Sequence, residues 1–148
     1  EAIQFTMSHD DGKKVDDTNK ADVILLGVSR TSKTPTSIYL ANRGYKTINI
    51  PLVLDQKIPE DLKTNKTSCI IGLIADPERL SDIRRNRVAI MKDHNIKEYT
   101  DLSFIKKEVE DSKNLFKRNN WPIIDVTRRS VEETAASILK IIEIKKNK

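Results

Sequence analysis

One cysteine stands in 148 residues, aromatic side chains make up 5% of them, and no apolar run approaches the roughly 18 residues a membrane span requires. Each scarcity removes a class of protein. A lone thiol cannot close an internal disulfide, which excludes a disulfide-stapled secreted scaffold. Cys69 heads the apolar run Ile70-Ile71-Gly72-Leu73-Ile74 and reads as a buried structural residue of a reducing compartment. With few rings, the core must be mostly aliphatic. Base-stacking aromatics between basic residues are missing too, which argues against nucleic acid as a partner. The first residues, Glu1-Ala2-Ile3-Gln4-Phe5, hold no basic-then-apolar targeting pattern, so the expected location is cytoplasmic, with no membrane partner. They also lack an initiating Met and begin in mid-pattern, as expected of a chain whose N-terminal part has been removed.

Charge is plentiful but mixed. Lys and Arg number 27 against 22 Asp and Glu, a net +5, with acid and base interleaved along the chain. That balance suits small anionic ligands such as phosphates better than a dedicated nucleic-acid surface. The length is most simply one domain with a substantial core.

Apolar runs and helical patterns alternate. Residues 1–9 read as a short helix running into a turn, and 12–20 as a polar loop. Residues 22–26 are apolar throughout, as in a central parallel strand covered on both faces. A helix follows, with Pro35 near its start and Gly44 where a stop belongs. Residues 46–50, closed by Pro51, read as a second strand, 68–75 as a third and 122–126 as a fourth. Helices are expected over 78–91 and 101–119, the latter carrying Leu102, Ile105, Val109 and Phe116 at near-helical spacing. The last helix starts at Ser130-Val131-Glu132-Glu133, a capping box. The expected fold class is therefore α/β, a P-loop kinase-like parallel sheet of about four to five strands with helices on both faces. Residues 1–20 are expected to be a helix and loop joining to the missing part, and 21–148 a P-loop nucleotide-binding domain.

The strongest chemical signal is Gly27-Val28-Ser29-Arg30-Thr31-Ser32-Lys33-Thr34, between the first strand and a helix. In the pattern G-x-x-x-x-G-K-[ST], backbone N–H groups cradle phosphates, the Lys reaches the outer ones and the hydroxyl takes Mg²⁺. Here the second glycine is missing and Ser32 stands in its place. Serine is tolerable there if the residue needs no positive φ, or if its N–H still points inward. The alternative is an ordinary helix-capping turn with Ser32 or Thr34 as N-cap.

Asp76 ends the third apolar run, so a parallel sheet puts it at the carboxyl edge beside the loop. It could hold Mg²⁺ together with Thr34, or cap the helix that begins at Pro77. Arg79, Arg84, Arg85 and Arg87 crowd that helix, either as a solvated face or as clamps on phosphoryl oxygens. Arg128 and Arg129 are comparable candidates after the fourth strand. His9-Asp10-Asp11-Gly12 offers an imidazole and two carboxylates, or simply a polar helix end. His94 falls in a polar loop and is expected to be solvent-exposed.

Four blocks together resemble the pyruvate, phosphate dikinase regulatory protein family, which includes the phosphoenolpyruvate synthase regulatory proteins. They are Glu1 through Gly12, Ala21 through Lys46 with its Gly-Val-Ser-Arg-Thr-Ser-Lys-Thr loop, Gly72 through Leu80, and Ile124 through Ala136. The family's loop itself carries serine for the second glycine. Its members are about twice this length, so the chain resembles their C-terminal half. The resemblance implies a bifunctional enzyme. As a kinase it would move a phosphoryl group from ADP to a threonine of the dikinase. As a phosphorylase it would remove that group with inorganic phosphate, releasing pyrophosphate. It implies ADP on residues Gly27 to Thr34, Mg²⁺ at Thr34 and Asp76, catalytic roles for His9, Asp11, Lys33 and Asp76, and pyruvate, phosphate dikinase as protein substrate. Asp11 would orient the attacking group. Ile124-Asp125-Val126-Thr127 looks more like the dikinase-directed branch than the synthase-directed one. A homodimer stays open. Two alternatives stand beside this reading: a small-molecule P-loop kinase of the shikimate or nucleoside-monophosphate type, and a nucleotide-sensing module without chemistry.

Overall fold

The computed structural model describes residues 1–9, 18–53, 58, 61–65, 67–91 and 101–146. Along them run α1 (Ala2–Ser8), a 3-10 turn (Thr18–Lys20), β1 (Val23–Gly27), α2 (Lys33–Asn42) and β2 (Thr47–Pro51). Then come α3 (Asp61–Thr64), β3 (Cys69–Ile74), α4 (Pro77–Met91), α5 (Leu102–Arg118), β4 (Ile123–Asp125) and α6 (Val131–Lys146).

Four strands form one parallel sheet in the order β2-β1-β3-β4. This is the α/β architecture expected, with the lower of the two strand counts. Parallel strands need crossovers, and helices supply them. The residues of β1 are all buried, and they alternate between two cores. Val23 and Leu25 join Leu40 of α2 and Ala135, Ile138 and Ile142 of α6 on one side. Ile24 and Leu26 join Ile48, Ile50, Leu62 and Phe116 on the other. Each fully buried aliphatic side chain of this kind is worth about 1.5–3 kcal/mol of transfer free energy. Phe116 of α5 packs so closely over Gly72 that a Cβ there would lie 2.3 Å from the ring, so no larger residue fits.

Local signals behave as their chemistry requires. Gly44 takes φ 92 just past α2 and returns its N–H to the Ala41 carbonyl. Ser130 and Glu133 exchange bonds, each backbone N–H donating to the other's side-chain oxygen. Asp101 caps α5 through Ser103 N–H. Several boundaries move by one residue; at β2, Pro51 is the last residue of the strand, paired with Gly27, rather than the residue after it. β2 is an edge strand, where a missing N–H facing outward is tolerated. Cys69 is buried, and burial raises its thiol above the usual cysteine range while Lys145 opposes the shift.

Candidate phosphate-binding site

β1 ends at Gly27, whose own surroundings leave no room for a side chain. A Cβ there would sit 2.9 Å from the Leu73 carbonyl oxygen and 2.5 Å from Thr31 Oγ1. The chain then turns through Val28 to Ser32 and enters α2 at Lys33. Two residues of this turn lie in the left-handed region, Arg30 at φ 72 and Ser32 at φ 61, while Thr31 between them does not. Alternation of this kind turns successive N–H groups toward one concavity, an anion-binding nest. Ser32 is the N-cap of α2, yet its hydroxyl makes no capping bond, and no acidic residue occupies the helix's first turn. The amino end of α2 thus keeps its positive dipole end for an anion. The condition that Ser32 needs no positive φ fails: it occupies the conformation that glycine adopts without strain.

Lys33 is 5% exposed and folds back across the loop, its ammonium donating to the Val28 carbonyl at 2.9 Å. The same carbonyl accepts the Thr31 hydroxyl at 2.9 Å. Because Val28 has two donors, Lys33 can leave it for a ligand without orphaning the carbonyl. Thr34 follows, half-buried in the first turn of α2.

Parallel pairing of β1 with β3 brings Asp76 to the same sheet edge. Asp76 is exposed, and its Oδ2 accepts the Arg79 N–H at 3.2 Å, which is the capping geometry at the start of α4. Its backbone N–H donates to Thr127 Oγ1 at 2.7 Å, tying the loop after β3 to the loop after β4. Thr34 and Asp76 offer only oxygen donors, the set Mg²⁺ prefers. Among the described residues no three His, Cys, Asp or Glu side chains gather to hold a metal. A cleft of about 580 Å³ opens beside Asp76 and Asp125, lined also by Lys106, Lys107, Glu110, Asp111 and Lys113 of α5. Its charges are nearly balanced.

The arginines of α4 do not act as one group. Arg79 and Arg85 are exposed, but Arg84 is 2% exposed and turned inward, to Glu108 on α5 and to the loop at Ser29. It is neither a solvated face nor a clamp on a ligand. Arg84 lies one turn after buried Leu80, on the core side of α4. Glu108, not a candidate in the sequence, sits among buried Ile105, Val109 and Ser112 of α5. The side chain of Arg87, the whole of His94, and Asp10, Asp11 and Gly12 lie outside the described residues. Arg128, at φ 60, and Arg129 are exposed after β4.

His9 is described. It is 2% exposed, stacks on Phe5 with ring centroids 4.0 Å apart, and its Nδ1 lies 2.7 Å from the Phe5 carbonyl oxygen. A carbonyl only accepts, so the Nδ1 nitrogen carries the proton in this bond. The imidazole belongs to the end of α1.

Comparison with known proteins decides the family. The kinase/pyrophosphorylase family model matches residues 1–139. The chain belongs to the kinase/pyrophosphorylase family. A relative from Pelagibacter ubique, named "Putative pyruvate, phosphate dikinase regulatory protein", is 64% identical over 148 residues, covering 99% of this chain and 54% of that protein. Relatives of the same name in Bartonella bacilliformis and Sinorhizobium medicae are each 55% identical over 142 residues. They share 96% and 95% of this chain, and 50% and 52% of their own lengths. The chain thus spans about half the length of the relatives it matches. Within this family the loop at residues 27–34 is the described feature that pairs a strained turn, a helix amino end and a buried lysine. No helix among the described residues is long and apolar enough to cross a membrane.

Proposed function

We propose that the protein is the nucleotide-binding part of an ADP-dependent threonine kinase and phosphate-dependent phosphorylase that acts on pyruvate, phosphate dikinase. One observation supports this above the others. Arg30 and Ser32 in the left-handed region converge the loop's N–H groups ahead of α2, with Lys33 folded over the mouth. An ordinary capping turn has no need of two strained non-glycine residues.

The ADP β-phosphoryl group would rest on the N–H groups of residues 28–34, with Lys33 leaving the Val28 carbonyl for its oxygens. Thr34 and Asp76 would hold Mg²⁺, which when bound supplies charge neutralisation at the phosphates. In the forward reaction the threonine hydroxyl attacks the β-phosphorus. The new O–P bond forms, the bond to the α-phosphate oxygen breaks, and AMP leaves. Asp11, assigned like His9 on the family resemblance, would orient that hydroxyl and take its proton. In the reverse activity inorganic phosphate attacks the phosphothreonine, releasing pyrophosphate and the free hydroxyl. Both steps are phosphoryl transfers at the same oxygen, so one site serves both. Cytoplasmic location accords with a metabolic enzyme as target.

Incubation of the intact protein with purified dikinase and ADP should yield a phosphothreonine on the dikinase, mapped by mass spectrometry. Added phosphate should then remove it with release of pyrophosphate. Transfer from ATP to a small metabolite, with the dikinase left unmodified, would indicate a metabolite kinase instead. Nucleotide binding with no transfer would indicate a sensor.

A further inference from the structure

Arg84 joins three segments through one planar group. Its Nη1 donates to Glu108 Oε1 on α5 at 2.7 Å, and its Nη2 donates to the Ser29 carbonyl at 3.2 Å. The two side chains are 2% and 9% exposed. We propose that Arg84 is a positioning residue for the phosphate loop, aiming the Arg30 N–H by anchoring the Ser29 carbonyl of the same peptide unit. This rests on reading residues 27–34 as the ADP site.

The peptide unit is rigid and planar, so its carbonyl and N–H point opposite ways. Holding the Ser29 carbonyl toward α4 therefore turns the Arg30 N–H away from α4, into the nest. Arg30 itself sits at φ 72, a conformation that persists only where the surroundings over-determine it. A bond from a fixed guanidinium does that. Glu108 cancels the charge of Arg84, so what Arg84 adds to the anion site is direction rather than positive potential. A buried ion pair is also a weak source of net stability compared with apolar residues of similar volume. Its value here is in position. Lysine could not substitute, because an ammonium is a point donor without the fork that reaches two acceptors in fixed directions.

Removing Arg84 alone would strand a buried carboxylate and damage the fold. The informative variant of the intact protein is therefore Arg84→Met with Glu108→Leu, which restores an apolar contact between α4 and α5 but removes the guanidinium from the Ser29 carbonyl. Arg84→Lys, which keeps a charge beside Glu108, is the second variant. In both, amide hydrogen exchange at Arg30 to Ser32 should rise about tenfold or more while β1 and β3 keep their protection. The dissociation constant for ADP should rise about tenfold or more in calorimetry. Loop exchange as slow as in the unsubstituted protein, in whichever variant folds, overturns the proposal regardless of ADP. Accelerated loop exchange with no ADP binding even by the unsubstituted protein would retain Arg84 as a loop strut and refute the nucleotide reading.

Discussion

The two edges of the sheet carry their strain differently. At the amino edge, the loops are tied by side chains whose preferences match the job. Asn65 donates to the Thr18 carbonyl and to Ser68 Oγ, and its Oδ1 accepts the N–H groups of Thr67 and Ser68. The single Ser68 hydroxyl proton is shared between the carbonyls of Ala21 at 2.6 Å and Thr18 at 3.0 Å. The positive-φ residues there are Gly44 at φ 92 and Asn120 at φ 57, residue types that tolerate the left-handed region. At the carboxyl edge, among the described residues, they are Arg30, Ser32 and Arg128, none of which suits the conformation. Strain of about 1–3 kcal/mol per residue persists only where other interactions hold it. The amino edge is built for stability, and the carboxyl edge spends some of that stability on shape.

The largest expected effect tests the carboxyl edge. Lys33→Ala should weaken ADP binding by a factor of about 100 or more, roughly 2.7 kcal/mol, while the melting temperature moves little. Val28 keeps the Thr31 hydroxyl, so no buried acceptor is orphaned. Calorimetry that finds unchanged ADP affinity in this variant would sink the phosphate-loop assignment.

Next in size is the converse at the amino edge. Asn65→Ala removes both donors and a shared acceptor, leaving the buried Ser68 N–H unpaired. A loss of about 2–3 kcal/mol in unfolding free energy follows, read from urea denaturation. ADP affinity should be unchanged, because nothing in this network touches residues 27–34. A variant that lost ADP binding in proportion to stability would erase the division between the edges.

How much of this was legible beforehand follows the physics. The strands were readable because two-sided burial demands continuous apolar runs, as in Val23 to Leu26 and Ile70 to Ile74. The turn from β1 into α2 was readable from the strand before it and from Gly27, but the left-handed φ of Arg30 and Ser32 was not, because neither residue type signals it. Arg84 and Glu108 were not, because a charge buried by a partner from another helix looks in sequence like a charge facing water. Their pairing joins positions 24 residues apart through tertiary packing alone. Asp76 illustrates the middle case. Its place at the sheet edge came from the strand before it, and its bond to Arg79 N–H shows the capping role.

The smallest effect sharpens the comparison most. Ser32→Gly puts at φ 61 the residue that belongs there energetically. Relief of the left-handed penalty is worth about 1–2 kcal/mol, offset by about 0.5–1 kcal/mol because glycine gives the unfolded chain more entropy to lose. The net expectation is a gain of up to about 1.5 kcal/mol, a rise of a few degrees in melting temperature. The Ser32 hydroxyl makes no capping bond, so nothing on α2 is lost with it. ADP affinity should hold or improve slightly, since the loop's shape is preserved. A destabilised Ser32→Gly protein would show that the hydroxyl bonds to something in the folded state that outweighs the strain. Unchanged stability with weaker ADP binding would move serine's purpose from the fold to the ligand, and the strain at this edge would then be maintained for a contact with phosphate.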